Sequence, residues 1–141
     1  MTLTLVVFPG LRTEEQTVWK LRIVQRDGRD HVQEELNRWR TEAKGDYRKI
    51  LKVARVVAGS DMVRDPKKVK RGEGEGLGDI YEIRADKGHA RVFFFYDHVD
   101  GTAVAVCTNT YWKTKASKTE QENAFRRAAQ LRALWIKMSR S

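Results

Sequence analysis

Between Asp79 and Thr110 the chain reads as three strands joined by two tight turns, and no other segment limits the fold as strongly. Residues 79–85 (DIYEIRA) run into Asp86-Lys87-Gly88, residues 89–97 (HARVFFFYD) are followed by Asp100-Gly101, and residues 102–110 (TAVAVCTNT) complete the set. Turns of this composition supply the backbone conformations that hairpin loops need. A three-stranded antiparallel meander is the simplest arrangement. The middle strand is so apolar that it belongs at the centre of the sheet.

The segment ahead of the meander predicts its cover. Residues 2–8 (TLTLVVF) form a short strand stopped by Pro9-Gly10. Residues 18–24 (VWKLRIV) alternate, with Trp19, Leu21 and Ile23 on one face and Lys20 and Arg22 on the other, as in a half-buried strand. Arg26-Asp27-Gly28 is a turn. From Asp30, a suitable N-cap, the period becomes helical: Val32, Leu36 and Trp39, then, after a break at Lys44-Gly45-Asp46, the stripe Tyr47, Ile50, Leu51, Ala54 and Val57, with Gly59 as C-cap. The two helices form an antiparallel hairpin. Residues 60–78 hold Pro66, four glycines and the basic cluster Arg64, Lys67, Lys68, Lys70 and Arg71, which reads as a loop. Thr119-Glu120-Gln121-Glu122 is a capping box, and Phe125, Ala128, Leu131, Trp135 and Met138 continue as a last helix. The expected fold is α+β: a small antiparallel sheet, one face covered by the two-helix hairpin and the other, or its edge, left open to a ligand, with a C-terminal helix, in the order β-α-α-β-β-β-α.

At 141 residues this is one domain, with room for three or four helices and one small sheet but not for a separate cofactor domain. The 28 Lys+Arg outweigh 19 Asp+Glu to give +9, which favours a polyanionic partner, nucleic acid before a membrane surface. The lone Cys107 excludes an internal disulfide and a Cys-rich zinc site. His31, His89 and His98 lack metal-ligand spacing. Gly72, Gly74, Gly76 and Gly78 have the wrong spacing for a dinucleotide fingerprint. No cofactor is implied. The absence of an apolar run of about 18 residues and of signal-peptide features points away from the membrane and to the cytoplasm.

Two places could carry chemistry. Glu82 and Arg84 share one strand face, and Arg91, Phe93 and Phe95 share a face of the next. An arginine in so apolar a strand must pair or reach solvent, so it is either half of a Glu82–Arg pair or part of a site. The segment Tyr111-Trp112-Lys113-Thr114-Lys115-Ala116-Ser117-Lys118 joins three lysines to two aromatics without an acid. Aromatics stack bases and ammoniums hold phosphates, and crowded cations lower one another's pKa, which fits a lysine for proton transfer. The alternative is a solvated loop. His89 and His98 flank the turns as ordinary surface residues, with an acid–base role open to His98.

The runs Gly78-Asp79-Ile80-Tyr81-Glu82-Ile83-Arg84, Ala90-Arg91-Val92-Phe93-Phe94-Phe95-Tyr96 and Trp112-Lys113-Thr114-Lys115-Ala116-Ser117-Lys118-Thr119 together resemble the RelE/ParE superfamily of type II toxin–antitoxin toxins, in its HigB-like, phage-derived branch. The resemblance covers residues 17–138, which makes 17–141 the toxin domain and 1–16 an N-terminal extension. The family's paired lysines read Thr114-Lys115 here, with Lys113 one step earlier, and Glu120 replaces the proline that opens the last helix. The resemblance implies a metal-independent mRNA interferase acting in the ribosomal A site, in which the substrate 2′-hydroxyl attacks the adjacent phosphate. It would take its cations from Arg84, Arg91, Lys113, Lys115 and Lys118 and its proton carrier from Tyr111 or His98. Lys67, Lys68, Lys70 and Arg71 would hold RNA phosphates and Trp112 a base. The implied partners are a cognate antitoxin, the ribosome and mRNA. ParE-like relatives inhibit DNA gyrase instead, and a catalytically silent nucleic-acid-binding module has the same composition.

Overall fold

The meander forms, and it is the centre of a larger sheet. A computed structural model describes residues 1–11, 17–114 and 118–140. Its elements are β1 (Leu3–Val7), β2 (Lys20–Arg26), α1 (Val32–Glu42), α2 (Lys44–Gly59), β3 (Val69–Arg71), β4 (Tyr81–Arg84), β5 (Ala90–Val99), β6 (Thr102–Trp112) and α3 (Lys118–Ser139). The class is α+β. The sheet has six strands in the order β1-β2-β6-β5-β4-β3. It is mixed, not antiparallel throughout as the sequence suggests, because β2 lies parallel to β6.

Local chemistry accounts for the meander. Asp100 and Gly101 both take positive φ, 50° and 79°, as a two-residue hairpin requires, and Asp27 and Gly28 do the same after β2. Phe93 and Phe95 face one way and Phe94 the other; all three are buried, so β5 has apolar layers on both sides. Beneath α1 and α2, Val32, Leu36, Trp39, Ile50, Ala54 and Val57 pack on Ile23, Val92, Phe94 and Cys107. Beneath α3, Ala124, Phe125, Ala128 and Trp135 pack on Phe93, Phe95, Val104 and Val106. The second face is therefore covered along much of its length, not left open. Burial pushes the Cys107 thiol well above its ordinary pKa, which makes it a small apolar core group.

Four boundaries differ from the pattern. The helix break falls on Ala43 alone, and Lys44, Gly45 and Asp46 form the first turn of α2. Gly59 stays helical and Ser60 is the C-cap. The N-cap of α1 is His31, not Asp30; Asp30, one residue earlier, accepts the Gln33 amide at 2.8 Å. In α3, Thr119 lies inside the first turn, since the helix starts at Lys118. The 60–78 segment contains β3, paired antiparallel with β4, and closes on itself through the Gly72 amide and Ile80 carbonyl at 2.8 Å. A Cβ at Gly72 would collide with the Leu77 carbonyl. At the other edge, β1 pairs with β2 over Leu3↔Arg26 to Val7↔Arg22, and so the N-terminal strand belongs to the same sheet as the residues after 17.

Candidate nucleic-acid interface

Register alone collects the charged residues. Lys70 pairs with Glu82, Glu82 with Phe93, Arg84 with Arg91, and Arg91 with Tyr111. The ladder continues through Arg84 to the Lys68 carbonyl and through Lys113 to the His89 carbonyl, both at 2.9 Å. Alternation then places Lys68, Lys70, Glu82, Arg84, Arg91, Tyr111 and Lys113 on the α3 face, at the N-terminal end of that helix. Among the described residues, five cations meet two carboxylates here, Glu82 and Glu120.

Glu82 is the centre of the group and is fully buried. Its Oε1 lies 3.3 Å from Arg84 Nε and 3.6 Å from Arg91 Nε. Gln121, from α3, donates its Nε2 to both carboxylate oxygens at 3.1 and 3.3 Å. The Glu–Arg pair read from the sequence is thus real, and it involves two arginines with different duties. The Arg91 side chain is 6 % exposed and Arg84 is 24 % exposed. Arg91 Nη1 donates to the carbonyls of Ala90, Gly88 and Ala85 at 2.9, 3.2 and 3.4 Å. Burial lowers its pKa, against the opposing pull of Glu82. Arg84 instead braces the preceding loop through the Pro66 carbonyl at 3.1 Å and still reaches solvent.

Two neighbours have shifted pKa values. Burial first, then the Arg84 and Arg91 charges, hold Lys113 below the ordinary lysine pKa, so its neutral amine is available at lower pH. Burial and the Glu120 carboxylate, which accepts the Tyr111 hydroxyl at 3.1 Å, push the phenol up. Tyr111 consequently keeps its proton.

The β4–β5 turn that carries Arg91 is pinned from below. Asp46, in the first turn of α2, accepts the His89 and Ala90 amides at 2.6 and 2.8 Å. Lys49 donates to the Asp86 carbonyl at 2.7 Å. A Cβ on Gly88 would meet the Asp46 carboxylate. Neither Asp46 nor Gln121 stands out in the sequence: one lies in a predicted helix break and the other in a predicted cap. Their roles come from contacts across more than thirty intervening residues.

Several expected site residues lie elsewhere. His98 is on the opposite face of β5 and near its far end, edge-on to Trp19, so it is no partner of Arg91. Trp112 also faces the helical hairpin, 6.0 Å from the Trp39 ring and stacked with His89 at 5.1 Å, away from the cations of its strand neighbours. Lys67 is exposed, and Arg71 curls onto the Gly78 carbonyl, so only Lys68 and Lys70 of that cluster join the face. Lys118 is exposed at the start of α3, and Lys115 lies outside the described residues. Among the described residues no three or more His, Cys, Asp or Glu side chains form a group able to hold a metal ion, and no helix is long and apolar enough to cross a membrane. The chain matches no family model, no curated protein and no solved structure.

Proposed function

We propose that this chain is the toxin of a type II toxin–antitoxin pair and cuts mRNA on the ribosome by attack of the RNA 2′-hydroxyl, with no metal in the reaction. The observation that carries the reading is the Arg84, Arg91 and Lys113 cluster around Glu82, with a lysine whose pKa is held low beside a tyrosine whose pKa is held high. In-line scission of RNA needs a base, a counter-charge and an acid. Neutral Lys113 takes the 2′-hydroxyl proton, and the 2′-oxygen forms a bond to the adjacent phosphorus. Arg84 and Lys70 stabilise the charge on the non-bridging oxygens. Tyr111 gives a proton to the departing 5′-oxygen. The products are a 2′,3′-cyclic phosphate and a 5′-hydroxyl. Arg91 acts as a positioning residue, fixing Glu82 and hence Arg84. The ribosome as the place of action, and a cognate antitoxin with an acidic segment as the inhibitor, follow from the family resemblance and from the +9 charge.

The test is induction in bacteria with growth, translation and mRNA 5′ ends followed together. The expected result is growth arrest, loss of translation and new 5′ ends inside coding sequence, relieved by co-expression of a neighbouring reading frame. Loss of DNA supercoiling with intact mRNA would assign the chain to gyrase inhibition. Unimpaired growth with RNA binding alone would assign it to a silent binding module.

A further inference from the structure

A groove of about 1030 Å³, lined by described residues, shares no lining residue with the Glu82 cluster. It has a topological origin. β2 and β6 run parallel and keep register from Lys20↔Val104 to Ile23↔Cys107. Past that point β6 slips against β5 between Phe93 and Phe94 and continues to Trp112, while β2 turns at Asp27-Gly28 and the chain enters α1. The apolar face of α1 packs on one side of the sheet and that of α3 on the other. Parallel neighbours whose chains leave to opposite faces open a crevice beyond their carboxyl ends, and such crevices are where open sheets hold ligands.

The lining specifies the ligand. Val24, Leu131 and Leu134 give an apolar wall, suited to the flat face of a ring. Arg26, Arg29 and Arg127 line the groove and are exposed, and none of them has an ion pair among the described residues. Of the two acids present, Asp30 is engaged and Glu34 is 73 % exposed. Asp30 accepts Gln25 Nε2, the Gln33 amide and Gln33 Nε2 at 2.8, 2.8 and 3.1 Å, and Glu34 faces His31 at 3.4 Å. Guanidinium groups without a carboxylate partner match phosphate oxygens. Asn37 and Gln130 in the same lining offer both donors and acceptors to a base edge. We propose that this crevice binds a phosphorylated nucleoside, either free or as one unit of an RNA strand. The proposal stands whether or not the chain is a ribonuclease.

The test titrates the full-length chain with three probes: inorganic phosphate, guanosine 5′-monophosphate and an unstructured RNA oligonucleotide. Each is repeated with Arg29→Ala/Arg127→Ala and with Arg84→Ala. Both groove substitutions are at exposed sites, where stability changes are small, and an unchanged thermal midpoint confirms it. If the ligand is a free nucleotide, the monophosphate binds wild type, loses at least tenfold in affinity in the double variant and is unaffected by Arg84→Ala. If the ligand is an RNA unit, the monophosphate binds poorly, but RNA affinity falls at least tenfold and its salt slope drops by about 1.4, at roughly 0.7 per phosphate contact. Equal affinity of wild type and double variant for every probe overturns the proposal. So does binding of inorganic phosphate as tight as that of both nucleotide probes.

Discussion

Glu82→Ala is expected to lower stability by about 3–5 kcal/mol, the usual cost of leaving a buried charge without its partner. The reason is Arg91. Its side chain is 6 % exposed, its Nη1 is committed to turn carbonyls, and among the described residues its Nε has the Glu82 carboxylate, at 3.6 Å, as its one ion-pair partner. Arg84 loses the same carboxylate but can turn to water. Replacing both buried partners, as in Glu82→Leu/Arg91→Met, should recover most of the loss, because an apolar pair of similar volume avoids the desolvation that both ions undergo. Denaturant unfolding of the two single variants and the double variant measures this as a coupling energy. Additive losses would show that the pair is not a unit.

Arg84→Ala is expected to reduce mRNA cleavage about 10²–10³-fold, by analogy with removal of one charge-stabilising donor, about 2.7–4 kcal/mol, while the fold persists. It should also alter the pH profile. The Arg84 charge lowers the Lys113 pKa, so its removal raises that pKa and leaves less neutral amine at a given pH. The rising limb of the pH–rate curve, set by deprotonation of Lys113, therefore moves to higher pH. A variant that is slower but keeps the wild-type limb would place Arg84 on the phosphate without influence on the base. Arg91 is a poor probe of chemistry, since its truncation disturbs the turn that it holds.

The legible parts of this chain are those whose signals are local. The run Ala90–Tyr96 and its flanking turn residues define the central hairpins, and the apolar stripes define all three helices. Alternation within β4 and β5 puts Glu82, Arg84 and Arg91 on one face, which is the candidate site in outline. The same alternation, carried through to Trp112 and His98, would have turned both away from that face. β3 was obscured because it has three residues, and only Val69 is apolar. The parallel contact of β2 with β6 joins segments some eighty residues apart, and neither strand's sequence names its neighbour. Gln121 and Asp46 are ordinary helix residues until the sheet brings Glu82 and the β4–β5 turn against them.

The most direct measurement uses purified chain, ribosomes translating a defined mRNA, and chemical identification of the new RNA ends. The account predicts scission on the ribosome that leaves a 2′,3′-cyclic phosphate and a 5′-hydroxyl, and its loss in Arg84→Ala/Lys113→Ala at an unchanged thermal midpoint. Ends bearing a 5′-phosphate, or equal cleavage by wild type and the double variant, would contradict it.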